Sequence, residues 1–80
     1  MGQMVKNEDI IYVYDEDELI MELTGKDMRK MIPTWSGTLS IGDTLIGIGR
    51  EMSIKELQID YPGPAEAATK YKVYIEEYAK

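Results

Sequence analysis

Between Thr34 and Arg50 the chain reads TWSGTLSIGDTLIGIGR, and apolar and polar residues alternate on either side of Gly42-Asp43. A period of two sends successive side chains to opposite faces of a strand, and a glycine-first pair joins two such strands tightly. The pattern predicts a β-hairpin with Gly42-Asp43 as its loop. In that register Leu39, Ile41, Ile46 and Ile48 share one buried face, because a one-residue slip would turn them all toward water. A chain built around this hairpin needs further strands or a helix to cover it.

The flanking segments supply both. Ile10-Ile11-Tyr12-Val13-Tyr14 is β-branched and aromatic, and its almost unbroken apolarity suits a strand covered on both faces or central in a sheet. Asp15-Glu16-Asp17 interrupts the run and Glu18 to Leu23 resumes it, which predicts a second hairpin. The competing reading starts a helix at Asp15, with Glu18 completing a capping box. Thr24 and Asp27 have the same spacing, and Met28, Met31 and Ile32 follow at helical intervals, so a short helix is expected from Gly25 to Ile32, ending before Pro33. Its basic residues Lys26, Arg29 and Lys30 are expected on its outer side.

Beyond Arg50, Ser53 to Glu56 fits a turn of helix, and Glu56 to Asp60 alternates like a strand. Tyr61-Pro62-Gly63-Pro64 stops either element. Pro64 suits the first position of a helix and Glu66 its first turn, after which Ala67, Ala68, Tyr71, Tyr74, Ile75 and Tyr78 fall on one side at a 3.6-residue period. A helix to about Ala79 is expected, against a strand reading of Tyr71 to Glu76. The predicted architecture is a single α+β domain over residues 1–80, with residues 1–8 loose. It comprises a small, mainly antiparallel sheet of about four to five strands, a short central helix, and a C-terminal helix packed on one face. Were residues 65–79 a strand instead, a small β-barrel would be the better architecture.

Composition narrows function by exclusion. The 80 residues include no Cys and no His, which removes Ser-His-Asp and Cys-His catalysis, thiolate zinc sites and imidazole acid–base groups. The chain is therefore read as non-enzymatic. A net charge of −6 opposes attraction to phosphate, so nucleic acid is not expected as a partner. Residues 1–10 lack a signal-peptide apolar run and no stretch is long enough to span a bilayer, so a cytoplasmic protein without membrane contact is expected.

Four features are candidates for chemistry. Asp15, Asp17 and Glu18 sit in the densest acidic run, and carboxylates are the ligands that Ca²⁺ and Mg²⁺ prefer, although the glycine and distal glutamate of an EF-hand loop are missing. The alternative is a solvated acidic turn. Gly47-Ile48-Gly49-Arg50 offers bare amides and a guanidinium to an anion, or simply room for packing. Trp35 is a candidate partner-binding anchor with Arg50, or else a half-buried core residue. The carboxylate pairs Asp15-Asp17 and Glu76-Glu77 have the composition of an acid–base pair, but a chain this short rarely forms a deep cleft around one. The expected role is an acidic interaction or accessory module that docks on a basic patch of a larger protein, or forms a homodimer. A divalent-cation module and an acidic mimic of nucleic acid are the alternatives.

Overall fold

The computed structural model describes residues 3–47, 50–63 and 68–77; of Gln3, Ile46, Gly47, Arg50 and Glu77 only the backbone is described. The described residues are mostly strand with one short helix, and their main body is a curled five-stranded half-barrel. In chain order the elements are β1 (Gln3–Met4), β2 (Ile10–Asp15), β3 (Glu18–Thr24), α1 (Gly25–Met31), β4 (Thr38–Leu39), β5 (Thr44–Gly47), β6 (Arg50–Asp60) and β7 (Lys70–Glu77). The large sheet has the order β3-β2-β7-β6-β5, and β1 pairs with β4 in a separate two-stranded sheet. β3 and β5 are the edges of the large sheet, so it curls without closing.

The expected C-terminal helix is absent, which overturns the α+β architecture. Residues 70–77 form β7, the middle strand, parallel to β2 and antiparallel to β6. Tyr71, Val73 and Ile75 are each 0% exposed, while Tyr74 lies on the opposite face, so the helical stripe that joined Tyr71 to Tyr74 does not exist. Two causes act together. Tyr, Val and Ile are strong strand formers. A helix here would also leave β2 and β6 with unpaired backbone groups facing each other across the middle of the sheet, and buried unpaired amides are costly. Pro64 and Glu66, on which the helix start was founded, lie outside the described residues, as does Tyr78.

The hairpin at Gly42-Asp43 is also overturned. Gly42 does turn the chain with a φ of +95°, but the strands on either side belong to different sheets. Thr38 and Leu39 pair with Met4 and Gln3, and Thr44 to Gly47 pair with Ser53 to Arg50. Leu39 is buried as predicted, whereas Ile41 is 65% exposed. Leu45 is buried in β5 and lies opposite Met52, which is buried too. Ile48 is outside the described residues. Partners remote in sequence have decided the pairing. The stretch expected to be loose contributes one of them: Val5 is 0% exposed and its N–H donates to the Gly37 carbonyl at 2.8 Å.

Two local predictions hold. β2 and β3 form the predicted hairpin, turning at Glu16 and Asp17, whose φ angles of 52° and 69° are both positive, as a type I′ turn requires. Helix α1 begins at the capping box: the Thr24 hydroxyl accepts from Asp27 N–H at 3.1 Å, and the Asp27 carboxylate accepts from Thr24 N–H. It ends with Ile32 as its C-cap, before Pro33. The turn of helix expected at Ser53 to Glu56 is instead continuous strand. There the register with β7 slips between Ile54 and Glu56, leaving Lys55 as a bulge residue. A second bulge leaves Ile20 extra in β3. Each bulge sharpens the twist and re-aims a side chain, and both lie next to the row Leu19, Tyr14, Tyr74, Glu56.

The core lies on the inner face of the curl. Ile11, Val13, Tyr71, Val73, Ile75, Met52 and Ile54 project from the sheet onto Met28 and Ile32 of the helical segment and onto Val5 and Leu39 of the small sheet. Each fully buried aliphatic side chain contributes about 1.5–3 kcal/mol relative to exposure. Among the described residues Asp9, 1% exposed, is the buried charge-bearing side chain. Its carboxylate accepts Lys6 N–H at 2.9 Å and Thr69 N–H at 3.0 Å, so it ties the turn before β2 to the start of β7.

Candidate functional site

Carboxylates distant in sequence meet at one end of the sheet. The β2–β3 turn carries Asp15, Glu16, Asp17 and Glu18, and the parallel register of β2 with β7 sets Asp15 beside Ile75, so Glu76 follows at the same end. Ser53 of β6 lies opposite Glu76. Asp15, Glu16, Glu76, Ile75 and Lys55 line a depression of about 400 Å³. Glu16, Asp17, Glu18 and Glu76 are exposed and Asp15 is half-buried. The bulge in β6 brings Lys55 to the same depression, where its ammonium offsets part of the negative potential. Lys6, Lys26, Lys30 and Lys70 lie toward the other end, around α1 and the start of β7, with Glu8, Asp27 and Asp60 among them. The molecule is thus polarised along its strands.

The predicted cation ligands Asp15, Asp17 and Glu18 are neighbours but not a cage. Asp15 and Glu18 face each other across the hairpin and Asp17 stands at its tip. Among the described residues no three Asp or Glu side chains gather at the spacing of metal ligands. The Asp15-Asp17 and Glu76-Glu77 pairs come to the same end of the sheet, where Asp15 and Glu76 line the depression; the Glu77 side chain is outside the described residues.

The Trp35 neighbourhood is a second concavity, of about 490 Å³, formed with Thr38, Ser40, Asp43, Thr44 and Leu45 between the ends of β4 and β5. Trp35 is half-buried, packs on the core, and donates from Nε1 to the Thr38 carbonyl at 2.9 Å. The Arg29 guanidinium lies over its ring, 5.2 Å from the centroid. Arg29 also donates to Asn7 Oδ1 at 2.9 Å and to the Val5 carbonyl. Sequence reasoning placed Arg29 on the outer side of the helix. Instead it clamps the small sheet to α1, and both Arg29 and Trp35 are held by structural bonds. Arg50 opens β6 opposite Gly47; its side chain, and Ile48 and Gly49 of the glycine segment, are outside the described residues.

Two further surfaces escaped the sequence reading. On the face away from the core, Tyr14 and Tyr74 stack with centroids 5.0 Å apart and planes inclined by 20°. Their register partners in adjacent strands are Leu19 and Glu56. β3 is the other surface: an edge strand, with Leu19 48% and Ile20 36% exposed between Glu18 and Glu22. Alternation alone predicts one apolar face for β3, and only the bulge at Ile20 exposes two adjacent apolar side chains. Among the described residues no helix is long and apolar enough to cross a membrane. Compared with known proteins, the chain matches no family model, no curated protein and no solved structure.

Proposed function

We propose that this chain is a non-enzymatic interaction or accessory module that docks through its acidic end onto a basic surface of a larger protein. The convergence of the β2–β3 turn with the end of β7 carries this reading, because it concentrates exposed carboxylates at one end of a molecule whose lysines lie mostly at the other. Such polarity steers association and orients the encounter. The same polarity favours a docking end over an acidic mimic of nucleic acid, which needs carboxylates in a ribbon across a face.

The test is affinity capture from native lysate at low and high salt, with the wild-type chain beside a D17N/E76K variant. Asn is tolerated where φ is positive, so the turn is retained while charge is removed. The expected result is a partner released by salt and lost with the variant at unchanged melting temperature. Capture indifferent to both salt and variant would sink the reading.

A further inference from the structure

We infer that the edge of β3 receives an extended, basic segment of the partner as an added strand; this rests on the docking role of the acidic end. Among the described residues β3 pairs only with β2, so one side of its backbone is open to a further strand. Such an edge supplies main-chain hydrogen bonds to any extended chain, and the side chains around it decide which is accepted. Here they are Glu18 and Glu22, both exposed, with Leu19 and Ile20 exposed between them. Glu16 and Asp17 extend the negative charge past the start of the strand.

This arrangement discriminates between occupants. Glu18 lies opposite Asp15 and Glu22 opposite Tyr12, so the bulge at Ile20 puts one glutamate on each face of the edge. A second copy of β3 brings the same two negative side chains to the edge, and like charges across a ladder are destabilising. A segment with lysine or arginine on both of its faces reverses that sign: its cations meet Glu18 on one face and Glu22 on the other, and its apolar side chains cover Leu19 and Ile20. The other edge, β5, is shorter, and Leu45 turns inward there. Length and charge favour β3.

The probe is a short acetylated peptide of lysine and valine in two-residue blocks (Lys-Lys-Val-Val), which carries lysine on both faces of a strand, with its glutamate–valine counterpart as control, followed by backbone amide shifts and hydrogen exchange of the full chain. Expected are shifts over residues 18–23 and amide exchange on β3 slowed about tenfold at saturation. Both should be lost in E18K/E22K, whose changes are at exposed positions, and absent with the acidic peptide. Binding that shifts the 15–18 and 76 amides without protecting β3 overturns strand addition and leaves the docking reading intact. Protection at β5 instead, or no response to the basic peptide, also overturns strand addition. The docking reading itself falls only on the salt and D17N/E76K result in lysate.

Discussion

Gly25→Ala separates local helix physics from tertiary packing, because the two predict opposite signs. Gly25 is the first residue of α1, and replacing glycine by alanine in a helix gains up to ~1 kcal/mol. The structure places backbone where the methyl would go. A Cβ at Gly25 would overlap the Lys6 carbonyl oxygen, lie 2.9 Å from the Lys6 carbonyl carbon and 3.0 Å from Val5 Cγ1. No rotamer change relieves a collision with main chain, so α1 or the β1–β2 connection must move. Overpacking of this kind costs about 1–3 kcal/mol. Movement also strains the bonds from Gly25 N–H to the Asp9 carbonyl at 2.9 Å and from Lys26 N–H to the Asn7 carbonyl at 3.2 Å. Each is worth about 1 kcal/mol.

Set against the propensity gain, the expected net loss is about 3 kcal/mol, which in a domain of this size lowers the melting temperature by roughly 15 °C. Thermal unfolding followed by circular dichroism measures it. Gly63→Ala is the internal control: a Cβ there meets nothing within 4 Å, so its change should stay within ~0.5 kcal/mol. A G25A melting temperature equal to or above that of the wild type would refute the argument and with it the close approach of Lys6 to α1.

Two other variants probe polar and aromatic contacts. Asp9→Ala leaves the Lys6 and Thr69 N–H groups without their buried acceptor; at about 1–3 kcal/mol for each of the two orphaned groups the loss should be about 2–6 kcal/mol. Urea unfolding reads this as a lower midpoint at constant slope, and a loss below ~1 kcal/mol would mean that water replaces the carboxylate. A double-mutant cycle of Tyr14→Leu and Tyr74→Leu should return a coupling of about 0.5–1.5 kcal/mol for the stacked pair; additivity of the two changes would show that the stack contributes nothing beyond its area.

The features legible in the chain were those that neighbouring residues decide. Thr24 and Asp27 cap a helix because their hydroxyl and carboxylate reach amides within one turn. Glu16 and Asp17 reverse the chain because a two-residue turn between apolar runs needs little else. The absence of Cys and His removed Ser-His-Asp and Cys-His arrangements before any geometry was known.

Pairing between distant segments was not legible, and it governs the rest. Lys70 to Glu77 satisfies both a strand and a helix period, and the choice fell to β2 and β6, whose facing edges need a strand between them. Leu39 and Leu45 flank one glycine turn yet join different sheets, because Met4 and Met52 are their strands' partners. The acidic end follows from the same step. Asp15 and Glu76 share a depression only because β2 and β7 run parallel in register. The sequence by itself determined which short segments turn, cap and alternate, since those choices are made within a few bonds. The tertiary structure decided which strands meet, because hydrogen bonds across a sheet reward whichever partner completes it, however far along the chain that partner lies.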